Sequence, residues 1–456
     1  MSATNSTLTF CGGAGEVTGS NFLFESKKLK ILIDCGLFQG CDTCDDKSRN
    51  KFPYDPKTID YLFVTHAHLD HIGRIPKLVK DGFAGVIYST PPTKDIAELG
   101  LLDSVEILKE EARENKKPVL YGKEDIQKTM ARWKTIPYHE QVSIGDDLFV
   151  LFKDAGHILG SAMVEFSRGG KKLVFTGDLG NSPTPLLRDT ESIVGVDYLV
   201  MESVYGDRIH ESRDERREMF EDIIEETVLK RGALLIPAFS IERTQEILFE
   251  IEQMVEAKKI PAIPVFLDSP LAIRVTDVYK RYDDYFNKEV KYIINSGNEL
   301  FSFKGLRFIR STEESKKIHE TSNPKIIIAG SGMSMGGRII NHEKYYLSDQ
   351  NTTVLIVGYQ APHSLGRNLL EGVKKVFIGE EEVQVNARVM EIKGYSSHKD
   401  SDALLQFVEG GVDSLKKVFV VMGEMKSSTF LTQRLRDYLG VNAIAPREGD
   451  SATLEF

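Results

Sequence analysis

Residues 65–71 read Thr65-His66-Ala67-His68-Leu69-Asp70-His71, which places three imidazoles and one carboxylate within six consecutive positions. The string follows directly on the apolar run Tyr61-Leu62-Phe63-Val64. Such a run reads as a buried strand, so the string occupies the loop at the strand's end. A tight loop can aim alternate residues inward, letting His66 and His68 bind one cation while Asp70 and His71 bind another. Neutral imidazole and carboxylate are the donors of catalytic zinc sites that keep an open coordination position. The plain alternative is a polar loop whose histidines face water, but the whole chain has only ten histidines.

Two positions downstream repeat the pattern. His157 stands in Asp154-Ala155-Gly156-His157-Ile158-Leu159-Gly160-Ser161, between apolar stretches at 148–152 and 162–166. Asp178 follows the strand-like Leu173-Val174-Phe175-Thr176-Gly177. A metal centre drawn from several loops at one edge of a sheet needs this arrangement. A carboxylate such as Asp178 can bridge two cations, one on each oxygen. A lone His or Asp is ordinarily structural; four positions repeating at strand ends point to a metal.

On these residues the chain resembles a metallo-β-lactamase-fold hydrolase, and more narrowly the β-CASP branch of RNA- and DNA-processing nucleases. Asp34, in Leu32-Ile33-Asp34-Cys35-Gly36, matches the first motif, an acid that supports the ligands from behind. His66, His68, Asp70 and His71 match the second motif, His157 the third and Asp178 the fourth. The branch adds an acid, here Glu202 in Met201-Glu202-Ser203-Val204-Tyr205-Gly206, and a histidine, here His398 in Gly394-Tyr395-Ser396-Ser397-His398-Lys399-Asp400. The resemblance runs from about Leu8 to the end of the chain. It implies an α/β fold, a metallo-β-lactamase αββα sandwich carrying an inserted α/β β-CASP domain. It also implies two zinc ions, with manganese as a substitute, and His66, His68, Asp70, His71, His157 and Asp178 as ligands. Asp70, His398 and Glu202 are the expected catalytic groups.

One position departs from the family. Where the branch carries a late Val-His-Gly-Glu, this chain reads Val420-Val421-Met422-Gly423-Glu424. A thioether is a soft ligand that suits copper better than zinc. The second metal would keep only Asp70, His71 and a share of Asp178.

The elements that position these residues read as α/β. Short strands alternate with helices up to Glu202, and charged stretches at 94–117 and 123–133 read as surface helices. The turn Gly12-Gly13-Ala14-Gly15-Glu16-Val17-Thr18-Gly19-Ser20 is not G-x-G-x-x-G and leads into a strand, which argues against a dinucleotide site. Beyond Glu202 a new α/β series begins, with Ser212 and Glu215 at capping-box spacing. Strands are expected at 233–237, 265–268, 325–329 and 353–357, a helix from about Ile241, and a late strand at 418–422. The expected domains are 1–202 and 391–456 for the metallo-β-lactamase fold and 203–390 for the insertion. Joined at both ends, the two domains should sandwich a cleft over the metals.

Several insertion segments suit a phosphate. Gly330-Ser331-Gly332-Met333-Ser334-Met335-Gly336-Gly337-Arg338 lies between a strand and a helix, where backbone N–H groups, Ser331 and Arg338 can hold an anion. The same pattern is a plain glycine turn in the absence of a ligand. By the resemblance, Ser331, Gly332, Met333, Arg338, Arg243 and Ser269 are candidate RNA contacts. His363, in Gly358-Tyr359-Gln360-Ala361-Pro362-His363, reads as a turn residue.

Composition bounds the function further. At 456 residues the chain suits two domains, and 41% hydrophobic content can fill two cores. No apolar run reaches membrane-spanning length and no signal-peptide core is present, so the expected setting is cytoplasmic, without a membrane. A formal charge of −10 disfavours sequence-blind nucleic-acid binding through an overall positive field, although metals supply local positive charge. Cys41 and Cys44 form a single C-x-x-C, and reduced thiols are the default in the cytosol.

The expected activity is a zinc-dependent phosphodiesterase on single-stranded RNA, leaving 3′-hydroxyl and 5′-phosphate ends. His398 would protonate the leaving oxygen, and Glu202 would hold that imidazole. RNA is the expected partner, and a homodimer is a candidate assembly. Two alternatives stand beside this. A small-molecule hydrolase of the same fold would not need the insertion, and a nucleic-acid-binding protein of feeble catalysis is suggested by Met422.

Overall fold

The computed structural model describes residues 5–41, 43–145, 147–361 and 363–456. Asp42, inside the C-x-x-C, and Pro362, beside His363, lie outside the described residues. The chain divides into two compact units, Met1–Ile209 with His398–Phe456, and His210–Ser397. Both boundaries fall a few residues beyond those read from the sequence. At the second, the strand Arg388–Glu391 pairs with Thr353–Ile356, which carries the inner unit on past residue 390.

In the first unit, the described residues form two seven-stranded sheets. One runs Ser451–Glu455, Asn5–Gly12, Asn21–Ser26, Leu29–Ile33, Tyr61–Phe63, Val86–Ser89, Trp133–Thr135. The other runs Ala443–Ile444, Lys417–Val421, Tyr198–Glu202, Lys171–Phe175, Ala162–Arg168, Phe149–Asp154, Val142–Ser143. Alternating strand residues of both sheets point into one core, where Phe24, Phe63 and Phe175 surround Phe166 with centroids 5.4–6.0 Å away. Each such ring removed would cost about 3–5 kcal/mol, since the close-packed core cannot collapse fully around the gap. The outer face of the second sheet is covered by helices Ser401–Glu409 and Met425–Leu439 through Leu404, Val408, Leu431 and Leu435. Helix Pro91–Glu114 packs beside Lys123–Ala131 on the strand Trp133–Thr135. The fold is the expected α/β class.

The second unit holds a six-stranded sheet, all parallel among its described strands, ordered Leu306–Phe308, Val265–Asp268, Lys325–Ala329, Ala233–Pro237, Thr353–Ile356, Arg388–Glu391. Its central strands are buried on both faces and read as continuous apolar runs such as Ala233-Leu234-Leu235-Ile236. Ser212 caps helix Arg213–Leu229 and Glu215 returns the bond to the Ser212 N–H, so that capping box forms. The helix expected from Ile241 begins at Arg243, because Glu242 sits at φ 63° and cannot continue a right-handed turn.

One expectation is corrected here. Cys41 and Cys44 are joined in a disulfide rather than carried as reduced thiols. Their three-residue separation on the turn entering helix Cys44–Arg49 brings the Cα atoms to 5.2 Å, within bonding reach. Cys11 and Cys35 are free and buried, and burial pushes their thiols up, to about 12 and about 11.

Candidate metal centre

Four strand ends of the first unit supply the site. His66 lies three residues past strand Tyr61–Phe63, and Asp178 three past Lys171–Phe175. Glu202 ends strand Tyr198–Glu202, which is parallel to Lys171–Phe175 on one side and Lys417–Val421 on the other. His157 sits in the connection between Phe149–Asp154 and Ala162–Arg168. Close backbone approaches lock these loops. A Cβ on Gly36 would come 1.5 Å from the Asp70 carbonyl oxygen, and one on Gly180 would come 1.7 Å from that of Gly156. Only glycine fits at either place.

Among the described residues, two groups of His and acid atoms gather within 4.8 Å of one another: His66, His68, His157 and Asp178, and Asp178, Glu202 and His398. His68 Nδ1 lies 3.1 Å from His66 Nε2 and 3.2 Å from His157 Nε2, while Asp178 Oδ2 lies 3.4 and 3.6 Å from the same two nitrogens. Burial, reinforced by neighbouring imidazoles, holds His68 and His157 well below the usual histidine range. Their lone pairs are therefore available to a cation.

Asp70 and His71 belong to neither group. His71 Nε2 is 3.3 Å from Asp178 Oδ1 and 3.9 Å from Asp70 Oδ2. Both His71 Nε2 and Asp178 Oδ1 are buried, yet neither makes a hydrogen bond. Buried polar atoms are nearly always paired, so this facing pair fits a cation between them. Burial would lower the His71 imidazole, but Asp178 and Asp34 raise it well above the usual range. For Asp178, burial would raise the carboxyl, and His71 with His66 draws it well below the usual range. Burial raises Asp70. Imidazoles and an ionised carboxylate suit zinc or a similar divalent ion.

Asp34 stands behind the candidate ligands at φ 58°. Its carboxylate accepts from Thr65 N–H, the Thr65 hydroxyl, Ser20 Oγ and His71 Nδ1. Thr65 is marked in the sequence only by adjacency to His66, and nothing local marks Ser20, whose partner Asp34 lies fourteen residues on. Glu202 is fully buried; Oε1 accepts from Leu179 N–H at 2.7 Å and lies 3.1 Å from His398 Nδ1, while Oε2 accepts from Val204 N–H. Burial would lower His398, but the Glu202 carboxylate lifts it to about 9. His398 is held over the site by backbone pairing with Gly180.

Met422 lies just beyond strand Lys417–Val421 rather than ending it, at φ 47°, a conformation uncommon for its side chain. Its Sδ packs against Gly13, where an added Cβ would come 2.4 Å away, and its N–H donates to the Gly13 carbonyl at 2.6 Å. The thioether belongs to the apolar core and lines a small cavity with Asp34, Thr65 and Glu202.

The insertion candidates sit in the second unit. The Arg338 guanidinium is bound to Asp268 Oδ1 at 2.6 Å and to the carbonyls of Ile309 and Arg310. Arg243 donates to Glu246 Oε2 and Ser397 Oγ and is 6% exposed. Ser269 caps helix Pro270–Tyr279. These three side chains hold the loops together internally. Ser331 is partly exposed, the Gly332 carbonyl accepts from Gln360, and the Met333 carbonyl accepts from Gly366 N–H. His363 is a turn residue at φ 67°.

With this geometry in place, comparison with known proteins decides the family. Residues 14–228 match the metallo-beta-lactamase superfamily, 244–369 the Beta-Casp domain, and 382–446 the Zn-dependent metallo-hydrolase RNA specificity domain. "Ribonuclease TTHA0252" of Thermus thermophilus is 37% identical over 91% of this chain and 92% of its own length. The chain belongs to the β-CASP ribonuclease family of the metallo-β-lactamase superfamily. An "RNase J-like protein" of Methanocaldococcus jannaschii is 31% identical over 97% of this β-CASP chain and 98% of its own length. "Transcription termination factor FttA" of Methanosarcina mazei is also 31% identical, over 96% of this chain and 70% of its own. A crystal structure of a protein of unknown function from Enterococcus faecalis shares the fold, with a TM-score of 0.59 at 13% identity over 99% of this chain and all of that one. Among the described residues no helix is long and apolar enough to cross a membrane.

Proposed function

We propose that this β-CASP protein is a zinc-dependent phosphodiesterase that cuts single-stranded RNA to leave 3′-hydroxyl and 5′-phosphate ends. The observation that carries the reading is the gathering of His66, His68, His157 and Asp178 within 4.8 Å, beside the facing buried atoms His71 Nε2 and Asp178 Oδ1 at 3.3 Å, neither of which makes a hydrogen bond. His66, His68, His157 and Asp178 would hold one metal; Asp70, His71 and Asp178 would hold another, with manganese able to replace zinc. When bound, such ions acidify a water and neutralise charge on a phosphate.

The chain's own residues do the rest. Asp34 fixes the ring of His71, and Thr65 Oγ1, 3.1 Å from His66 Nδ1, fixes that of His66. Glu202 keeps His398 protonated through Nδ1, leaving Nε2 to give a proton to the departing ribose oxygen. Asp70, partly exposed at the rim, orients water for attack. The test is cleavage of 5′- and 3′-labelled single-stranded RNA by purified protein, with metal analysis of the same sample. Zinc together with 5′-phosphate products supports the reading, and intact RNA with zinc-loaded protein contradicts it. That second result would favour an RNA-binding protein without catalysis, a reading favoured by the placement of Met422 in the apolar core.

A further inference from the structure

The parallel sheet of the 210–397 unit ends in a row of loops, and its carboxyl edge is where open α/β sheets bind ligands. Phe239 stands two residues past strand Ala233–Pro237 on this edge and is 40% exposed. Its ring rests on two glycines from the loops after the flanking strands Lys325–Ala329 and Thr353–Ile356. A Cβ on Gly332 would come 2.7 Å from its Cδ2, and one on Gly358 would come 3.2 Å from its Cε2. Any side chain at Gly332 would push the ring out of place. Gln360 Nε2 donates to the carbonyls of both glycines, at 2.8 and 3.1 Å, and is itself buried. One buried side chain thus ties the two glycines of the seat together.

A ring serving packing alone gains most from full burial. This one is held part-open on a floor of backbone. Beside it, the Ser240 and Ser269 hydroxyls are hydrogen-bonded to each other at 3.2 Å, Ser269 also accepts from Ala272 N–H, and Gly330 adds no side chain over them, so each hydroxyl oxygen keeps a lone pair for a further donor. A flat apolar face next to small polar groups matches a nucleobase, which has a π face and polar edges.

We propose that Phe239 is a stacking platform for a base of single-stranded RNA, seated on Gly332 and Gly358, with Ser240 meeting the base edge or its sugar. This rests on the reading of the chain as an RNA hydrolase and adds a base-binding position to it. Duplex RNA, whose bases are already stacked, should not engage the ring.

The chain offers a clean probe, because its single tryptophan, Trp133, is 3% exposed. Metal-loaded Phe239→Trp protein is titrated with a single-stranded oligouridylate carrying phosphorothioate linkages that resist hydrolysis, and with a duplex of the same length. Saturable quenching of the introduced indole by the single strand, and not by the duplex, is expected. Phe239→Ala should weaken binding of the single strand by roughly five- to a hundredfold. Tyr292→Ala, which removes an exposed ring from helix Lys288–Asn295, should bind like wild type. Equal quenching by duplex, or Phe239→Ala binding as tightly as wild type, overturns the stacking site while leaving the ribonuclease reading intact. A wild-type protein that binds no single-stranded RNA overturns both.

Discussion

His71 Nδ1 lies 2.7 Å from Asp34 Oδ2, with both side chains essentially removed from solvent. The bond fixes which imidazole nitrogen faces Asp178, and it is made by a residue that touches no metal position itself. Removing such a partner commonly costs 10–100-fold in metal affinity or activity. Asp34→Ala should therefore weaken zinc retention against a chelator by roughly that factor. Unchanged retention would leave Asp34 a purely structural residue.

His398 and Glu202 should behave as a unit. Loss of a general acid typically costs 10²–10⁴-fold in rate, so His398→Ala should fall by roughly that much while zinc content stays near wild type. Glu202→Gln should lower the pH at which the acidic group of the rate profile titrates, because the carboxylate is what lifts His398 to about 9. Parallel losses of zinc and activity in His398→Ala would make the residue a ligand instead, as its place beside Asp178 and Glu202 permits.

Met422 should leave the second metal position weak. Its thioether is spent on packing against Gly13, so Asp70, His71 and Asp178 are the donors left. Zinc should bind below two equivalents when scarce, and activity should rise with added Zn²⁺ or Mn²⁺. Met422→His, facing the cavity shared with Asp34, Thr65 and Glu202, should raise both the affinity for a second equivalent and RNA cleavage. Two tightly held equivalents in the wild type, and no gain from the substitution, would show the missing imidazole to be unnecessary.

Glu343 predicts a pH dependence of stability in the second unit. It is fully buried, Ser334 Oγ donates to one oxygen, and the other has no partner. Burial raises its carboxyl from 4.5 to about 8. Between those values the unfolded chain has lost the proton and the folded one keeps it, so stability falls as pH rises through the window. Glu343→Gln should remove this fall, giving a smaller drop in thermal midpoint between pH 5 and pH 9 than wild type. Equal drops would mean that Glu343 does not titrate in that range.

Local pattern made much of this visible in the sequence. The run Tyr61-Leu62-Phe63-Val64 marks a buried strand, and a strand's end fixes where the next loop must be, so residue order alone places the His-rich string. The continuous apolar runs at 233–237 and 325–329 likewise announce a parallel sheet. What stayed hidden depends on partners distant in the chain. Arg338 reads as an anion ligand beside its glycines, but Asp268, seventy residues earlier, occupies its guanidinium. Arg243 finds Ser397 across a separation of 154 residues. The thioether of Met422 could be read as an absent ligand, whereas its positive φ and its contact with Gly13 are set by backbone geometry that no residue type announces. The seat of Phe239 on Gly332 and Gly358 is of the same kind, built from three strands that meet only in the fold.

The most direct test concerns Asp178, whose Oδ2 faces His66 and His157 and whose Oδ1 faces His71. Wild-type protein and Asp178→Ala are purified identically, freed of contaminating nuclease, loaded with zinc, and compared for metal content and cleavage of labelled single-stranded RNA. The wild type should retain zinc and release 5′-phosphate products, while the variant loses bound zinc and all cleavage yet still unfolds cooperatively. Cleavage by Asp178→Ala at the wild-type rate would contradict a metal centre built on His66, His68, His157 and Asp178.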